Sequence, residues 1–452
     1  MAPILVTLLI TPLVVRLVGT AQYGYVGISI TTYQAVAVIL PLGLPAAVTR
    51  HALIERSARA GAAGLVLLGA AVAVVIAIPV ALTSPAWGAV LFGDVGWLLV
   101  WPVLSSVGLA WMALGQSMLR ADDRAKSFVA LGWTMAIAPP ASALALCALS
   151  GAEVVVYLVA LAIVQVLVGA AAVWVSCRRA HATTSAVEAR GALRVALPTV
   201  PHQLAMASLG VATVAIVTSM GGVTAGGQAQ LAILLGTAPL TILGALNNAW
   251  APMVYRASGV ERERLLRSTT AVVSLVALAL TAAFCVCAPW LALILVGPAH
   301  STPLTTAALI TSAGAGFMVL YLSNIHLVFV SGRTSLLAVA TPASLLISVV
   351  TASAASAASG VAMLAVIVVP VFYLLQYAAS TALRHVVGQP ATRVSAAVPA
   401  VAASGLVPIL AAAGVWIDGA AIIAFIAAVV IAAIGGGATF LMWRRLQIAE
   451  LL

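Results

Sequence analysis

Polar side chains within long apolar segments are the residues of this chain that could do chemistry. A polar group is costly to place in hydrocarbon, so such residues indicate either hydrogen bonds between helices or a water-filled cavity. Four apolar segments carry most of the candidates. The candidates are Arg16 in the first segment, Tyr33, Gln34 and Arg50 in the second, His202 and Gln203 in the seventh, and Asn247, Asn248 and Arg256 in the eighth.

The seventh segment opens with Pro198 and Pro201. Two prolines three residues apart bend or break a helix and free backbone groups. Within a membrane, such a break is tolerated where a cavity replaces lipid, so we expect a polar cavity here. Arginines at the ends of a cavity are compatible with an anionic substrate, because the guanidinium group pairs with carboxylate and phosphate oxygens.

Each candidate also has a structural interpretation. Arg50 and Arg256 lie where arginines that set membrane topology lie, and Arg16 can extend its side chain to lipid headgroups. His202 can bond to the backbone at a helix bend. His326 is expected to be structural. Carboxamide side chains can simply link neighbouring helices, which applies to Gln116, Gln165, Asn247, Asn248, Asn324 and Gln376.

The composition predicts the fold class. The chain is 64% hydrophobic and 7% charged, with a mean hydropathy of +1.21. Its apolar stretches reach the roughly 20 residues that a membrane-crossing helix requires, so we predict an all-α polytopic membrane protein. The net charge of +10 does not indicate a nucleic-acid partner, because the basic residues lie in short loops where they set topology and contact membrane lipids.

The distribution of the basic residues predicts fourteen spans with both termini in the cytoplasm. Nineteen of the twenty basic residues then face the cytoplasm, and Arg16 is the exception. Cytoplasmic loops carry the excess of Arg and Lys, which supports this orientation in the cell (inner or cytoplasmic) membrane. The spans are expected at 1–18, 25–47, 61–83, 96–118, 128–149, 154–176, 196–219, 229–252, 269–296, 304–330, 336–357, 361–383, 395–416 and 420–442.

The even number of spans predicts two six-helix lobes around a central cavity, followed by two additional helices. A weak internal repeat supports the two lobes, since 31 residues separate Gly19 from Arg50 and 35 separate Gly221 from Arg256. Six crossings return the chain to its starting side, so the lobes are expected to be parallel repeats. The predicted boundaries are 1–176 for the first lobe, 177–195 for a cytoplasmic linker, 196–383 for the second lobe and 395–442 for the additional helices.

Missing residue types narrow the function. All ten acidic residues lie in loops or at span ends, whereas a cation antiporter normally needs a carboxylate within the membrane. No cofactor motif is present, and Cys285 and Cys287 point in different directions on a helix, so no metal site is expected. An enzyme such as a glycan polymerase is not expected either, because the longest outer connection, from Ser84 to Val95, offers one acid, Asp94.

The order and spacing of several short motifs resemble those of the polysaccharide flippases. These are the oligosaccharide-lipid exporters of the multidrug/oligosaccharidyl-lipid/polysaccharide (MOP) superfamily, and the resemblance covers residues 1 to about 390. The chain departs from the family at 210–213, where an acidic-basic pair is often found. The motifs are Pro12-x3-Arg16-x2-Gly19, Tyr23-Gly24, Leu42-Gly43-Leu44 with Arg50, Leu119-Arg120-Ala121, Leu197-Pro198-x2-Pro201-His202, Leu246-Asn247-x4-Pro252 and Ser331-Gly332-Arg333-Thr334.

The resemblance implies movement of an isoprenoid-pyrophosphate-linked oligosaccharide from the cytoplasmic to the outer leaflet by alternating access. It implies Arg16, Arg50 and Arg256 as ligands of the pyrophosphate. It also implies work alongside glycan polymerases or glycosyltransferases in cell-surface polysaccharide biosynthesis. The alternatives are a lipid II flippase, which the fourteen-span count favours, and a multidrug or cation antiporter. The sugar-facing residues it implies are Tyr33, Gln34, His202, Gln203, Asn247 and Asn248.

Overall fold

The protein is built from α-helices throughout the part of the chain that the structure describes. In the computed structural model, this part comprises residues 2–54, 58–93, 95–179, 185–331, 334–389 and 397–414. The helices are α1 (Ala2–Ile39), α2 (Leu44–Ile54), α3 (Ala58–Leu82), α4 (Ser84–Phe92), α5 (Val100–Ala121), α6 (Ala125–Ser150), α7 (Val154–Cys177), α8 (Ala186–Ala196), α9 (Val200–Gly236), α10 (Ala238–Arg256), α11 (Gly259–Val296), α12 (Pro298–Ser312), α13 (Gly314–Val330), α14 (Leu337–Ser359), α15 (Val368–Val386) and α16 (Val398–Gly414).

The all-α, multi-pass membrane architecture agrees with the sequence prediction. Within the described ranges, nine helical segments are long and apolar enough to cross a bilayer, or ten if the bent pair Ala21–Ile39 and Leu44–Ala52 forms one span. Two more apolar helices, Leu9–Gly19 and Val398–Gly414, are shorter. The predicted span 420–442 lies outside the described residues, so the count of fourteen stays a prediction.

Two glycines break long helices between predicted spans, Gly19 between the spans 1–18 and 25–47 and Gly222 between the spans 196–219 and 229–252. Gly19 divides α1 with φ 81° and ψ 157°, and Gly222 divides α9 with φ 78° and ψ 178°. This backbone conformation is essentially restricted to glycine. A Cβ at either position would meet nothing within 4 Å, so backbone conformation rather than crowding requires glycine. The repeat seen in the sequence therefore has a counterpart in local backbone geometry.

The contacts divide the chain into two compact units. The first unit comprises 1–230 together with 337–342, and the second comprises 231–336 together with the residues from 343 onward. The first unit continues through most of α9, whereas the sequence placed the start of the second lobe at residue 196. The predicted lobes, and the central cavity between them, stay a prediction.

Close helix packing in the first unit depends on small residues. A methyl group on Gly108 of α5 would collide with the carbonyl of Gln165 on α7, and one on Gly169 would collide with the carbonyl of Gly108. A methyl group on Gly24 of α1 would likewise collide with the carbonyl of Val223 on α9. Small residues let membrane helices approach closely, so these positions hold α5 against α7 and α1 against α9.

The second unit is centred on α13, in which every residue from 318 to 328 is buried. Gly316 of α13 packs against Val401 and Ser404 of α16, and Gly314 packs against Pro370 of α15. Because α13 is enclosed by other helices, its polar side chains can find partners only within the protein. Asn324 makes such hydrogen bonds, whereas both ring nitrogens of His326 are buried without a hydrogen-bond partner.

Candidate functional site

The first unit contains a cavity of about 470 Å³ enclosed by α1, α5, α6 and α7. None of the residues that line it is acidic or basic. Its polar groups are hydroxyls and carboxamides, and the rest of the wall is aliphatic. The polar lining residues are Thr11, Tyr23, Tyr33, Gln34, Gln116, Tyr157 and Gln165.

Helical spacing explains why these side chains converge. On α1, Tyr23, Val26, Ile30 and Tyr33 follow one another at intervals of three and four residues and so share one face of the helix. The break at Gly19 lets the earlier half of α1 contribute Thr11 to the same cavity. One kinked helix thus lines the cavity with both of its halves.

On α7, Tyr157, Leu161 and Gln165 are spaced four residues apart and face the cavity from the other side. The glycine contacts between α5 and α7 bring this face close to Gln116 of α5. The cavity therefore results from packing among helices of a single unit.

Two polar atoms in the cavity wall are buried without a hydrogen-bond partner, the Tyr23 hydroxyl and Gln165 Oε1. Thr11 lies near the Tyr23 hydroxyl, and Gln165 lies near the Tyr33 hydroxyl. A buried polar group left without a partner costs about 1–3 kcal/mol. A ligand with hydroxyl groups would satisfy such atoms, because hydroxyls both donate and accept hydrogen bonds.

Of the predicted site residues, Tyr33 and Gln34 line this cavity. Arg16 is on α1 as well, but its side chain is exposed and does not line the cavity. Arg16 is two residues beyond the lining residue Val14, which is a rotation of about 200° round the helix. The structure therefore places Arg16 on another face of the helix from Val14.

Arg50 lines a separate cavity of about 280 Å³ formed by α2 and α8. His51 and Glu188 line it too. Glu188 is fixed at the start of α8, where Ser185 N donates to Glu188 Oε2 at 2.8 Å and Glu188 N donates to Ser185 Oγ at 3.2 Å. The predicted pyrophosphate ligand Arg50 thus has an acidic neighbour and is not brought together with Tyr33 and Gln34.

The predicted pair at the start of α9 makes side-chain hydrogen bonds. His202 Nδ1 and Thr341 Oγ1 are 2.7 Å apart, and Gln203 Nε2 donates to Thr199 Oγ1 at 3.2 Å. His202 is therefore held by a hydroxyl of the segment 337–342, whereas the structural interpretation expected a backbone partner. Neither His202 nor Gln203 lines the two cavities described above.

The remaining predicted residues belong to α10 in the second unit. Asn247 Oδ1 is buried without a hydrogen-bond partner, whereas Asn248 and Arg256 are exposed. Trp250, one turn further along, donates to Thr269 Oγ1 at 2.8 Å and packs edge-on against His326. The roles of Asn247, Asn248 and Arg256 in binding stay predictions.

Sequence reasoning did not assign the other five polar lining residues to a binding site; these are Thr11, Tyr23, Gln116, Tyr157 and Gln165. The sequence interpretation assigned Gln116 and Gln165 to helix–helix hydrogen bonds. The spacing of Tyr157 and Gln165, two helical turns apart within one span, was a signal that could have marked a polar face.

Comparison with solved structures identifies the fold. The protein is similar to an inward-facing multidrug resistance MATE family transporter of the MOP superfamily, with a TM-score of 0.63 and 14% identity, over 85% of this chain and 94% of that one. The fold is that of the MATE transporters. The superfamily fold expected from the sequence motifs is thereby confirmed, and the polysaccharide flippase branch stays a prediction.

Two other MOP-type structures support the same fold. The lipid II flippase MurJ, in an inward closed conformation, matches with a TM-score of 0.60 and 12% identity over 98% of this chain and 99% of that one. A MOP superfamily transporter from Pyrococcus furiosus, with a binding pocket of reverse polarity that suggests a different function, matches with a TM-score of 0.53 and 14% identity over 85% and 95%. No family model and no curated protein matches the chain.

Proposed function

We propose that this protein is a flippase for an isoprenoid-pyrophosphate-linked oligosaccharide, which it moves from the cytoplasmic to the outer leaflet by alternating access. The observation that carries the proposal is the uncharged cavity of the first unit, whose mainly apolar wall presents hydroxyl and carboxamide groups, on a fold shared with transporters and with a lipid flippase. The solved structures to which it is similar are transporters rather than enzymes, so a catalytic function is not proposed.

The cavity has the chemistry of a sugar site. Its volume of about 470 Å³ falls in the range of small-molecule pockets, roughly 300–1,000 Å³. Tyr33 and Tyr157 offer aromatic faces and hydroxyls, and the carboxamides of Gln34, Gln116 and Gln165 both donate and accept hydrogen bonds. A site for an organic cation would be expected to hold a carboxylate, and this lining has none.

The lipid part of the substrate needs no site of its own in this mechanism. The isoprenoid tail stays in the bilayer, while the sugar and pyrophosphate, which hydrocarbon rejects, cross within the protein. We assign pyrophosphate binding to Arg16, Arg50 and Arg256, whose guanidinium groups suit phosphate oxygens. The side chains of Arg16 and Arg256 are exposed.

A lipid II flippase is the second candidate, and one observation favours it. The MurJ match extends over 98% of this chain, whereas the MATE match extends over 85%. Lipid II is also an isoprenoid pyrophosphate that carries sugars, so both candidates use the same chemistry in the cavity.

Deletion of the protein followed by analysis of lipid-linked sugars separates these functions. The proposal predicts that an isoprenoid-linked oligosaccharide accumulates in the inner leaflet and that surface polysaccharide is lost. Accumulation of lipid II instead would select the second candidate. Sodium- or proton-dependent efflux of organic cations by the purified protein, with no lipid accumulation in the deletion strain, would contradict both and indicate an antiporter.

We also propose that the protein lies in the cell membrane with both termini in the cytoplasm. In this orientation it would receive its substrate from glycosyltransferases on the cytoplasmic side and deliver it to a glycan polymerase on the outer side. The concentration of arginine in the predicted cytoplasmic loops supports this orientation.

A further inference from the structure

Arg384 is a buried arginine in the second unit. Only 6% of its surface is exposed. Its position near the end of a predicted span indicated a topology-setting arginine at the start of the cytoplasmic loop 384–394. In the structure, however, α15 continues to Val386 and turns the Arg384 side chain inward. A side chain that extended to lipid headgroups would be exposed, so membrane topology alone does not account for this residue.

Asn324 of α13 holds the Arg384 guanidinium group. Arg384 Nη1 donates to Asn324 Oδ1 at 2.9 Å. The same carboxamide donates through Nδ2 to Thr381 Oγ1 at 2.8 Å and to Ser380 Oγ at 3.4 Å. These bonds fix the orientation of the Asn324 side chain, so its oxygen faces the arginine. Asn324 thus makes the interhelical bonds that its structural interpretation predicted.

One donor of this pair, and another further along α15, lack hydrogen-bond partners. A guanidinium group has several N–H donors, and Arg384 Nε is buried without a hydrogen-bond partner. Gln376 lies two turns earlier on the same face of α15, and its Nε2 is also buried without a partner. Gln376 and Arg384 are 1% and 6% exposed. The two side chains are about 12 Å apart along the helix, so Arg384 Nε is the unused donor beside Asn324.

The positive charge of Arg384 has no counter-ion among the residues that the structure describes. In the described part of the second unit, the acidic residues are Glu261 and Glu263, both exposed at the start of α11. A buried charge is strongly destabilising unless it is paired, and a neutral carboxamide compensates it in part. The chemistry that would complete this site is an anion with several acceptor oxygens.

We infer that Arg384, held in place by Asn324, forms a binding site for a phosphate or pyrophosphate group. Arginine binds such groups through two parallel hydrogen bonds, which lysine does not reproduce. The identification of the anion as the headgroup of a transported lipid rests on the proposed function, whereas the site itself does not.

Binding to the full-length protein in nanodiscs of neutral phosphatidylcholine tests the inference. The probes are inorganic pyrophosphate and a polyisoprenyl pyrophosphate without sugar. Arg384→Lys keeps the charge and the topology, but should weaken binding by about tenfold or more because it loses the two parallel hydrogen bonds. Asn324→Asp places a carboxylate against the guanidinium group and should weaken binding to a similar extent, without lowering the melting temperature. Arg264→Lys, an exposed arginine of α11, is the matched control and should bind as the wild type does.

If the polyisoprenyl pyrophosphate binds and inorganic pyrophosphate does not, the ligand is a lipid headgroup. If both probes bind, the site is a general pyrophosphate site. Absence of binding to either probe, or wild-type affinity in both the Arg384 and Asn324 variants, would overturn the inference. The proposed function fails separately, since a deletion strain that accumulates no lipid-linked sugar would contradict it even where this site binds pyrophosphate.

Discussion

Gln165 of α7 lies beside the hydroxyl of Tyr33 on α1. Both residues line a cavity whose walls carry no charge. Gln165 is only 4% exposed, and its Oε1 has no hydrogen-bond partner. Two helices far apart in sequence thus present a phenol and a carboxamide to the same space. Both groups can hydrogen-bond a polar ligand that enters this space.

Gln165→Leu tests whether this polar lining serves transport rather than folding. The substitution removes an unsatisfied polar atom, so we expect the free energy of unfolding to rise by about 1 kcal/mol. Transport should fall by about tenfold or more, because the cavity loses a group that hydrogen-bonds to the substrate. Thermal unfolding and restoration of surface polysaccharide in a deletion strain measure the two effects.

Leu167→Met is the control for that substitution, because Leu167 lies on α7 with 62% of its surface exposed. We expect neither stability nor transport to change. Full transport by Gln165→Leu would show that the cavity is not part of the substrate path.

Gly24→Ala tests the contact between α1 and α9. The new methyl group would collide with the carbonyl of Val223, which belongs to the backbone and cannot move aside as a side chain would. We expect a loss of about 1–3 kcal/mol in stability, since overpacking of this size forces helices apart. Gly244→Ala is the matched control, because its methyl group would lie 3.7 Å from the flexible end of Met318. Equal melting temperatures for the two variants would show that the α1–α9 contact is not close.

Gly19→Ala tests whether the backbone conformation at the break in α1 requires glycine. No atom lies within 4 Å of the new methyl group, but the residue has φ 81° and ψ 157°. Alanine in this region costs about 1–3 kcal/mol, so we expect the free energy of unfolding to fall by that amount and the melting temperature to be lower. Asparagine should not rescue the position, because it favours a different positive-φ region. A fully stable Gly19→Ala protein would mean that α1 can run straight past this point.

Lys126 offers a direct test of topology. It is the only lysine in the chain, it is exposed, and it precedes the apolar part of α6. We expect a membrane-impermeant amine reagent to label Lys126 in inverted membrane vesicles but not in intact cells. Lys126→Arg should abolish the labelling and so distinguish it from reaction at the amino terminus. Labelling of Lys126 in intact cells would contradict the proposed orientation and indicate the opposite one.

Local features of the sequence predicted much of this fold. Apolar length predicted the membrane helices, and Gly19 marked a chain break because only glycine adopts its backbone conformation. Tyr33 and Gln34 stood out as polar residues within a span, and both line the cavity. The apolar length of a segment, a glycine at a helix break and a polar residue within a span can all be recognised from neighbouring residues in the chain.

Features that depend on tertiary packing were not predictable in the same way. Arg384 looked like a loop residue because it follows an apolar run, but contacts with Asn324 of α13 enclose it. Arg50 was assigned to a pyrophosphate site, and only the docking of α8 on α2 revealed Glu188 beside it. In both cases the partner is more than 50 residues away in sequence, and spacing along the chain does not indicate which helices meet.

Flipping by the purified protein in liposomes tests the central claim most directly. The substrate is a polyisoprenyl pyrophosphate that carries a short oligosaccharide, and the measurement is its accessibility to a glycosidase outside the vesicles over time. We predict that the wild-type protein transfers this lipid between leaflets and that Gln165→Leu slows the transfer by about tenfold or more. An absence of transfer by the wild type, or transfer by Gln165→Leu at the wild-type rate, would contradict the assignment of the first-unit cavity to a sugar headgroup.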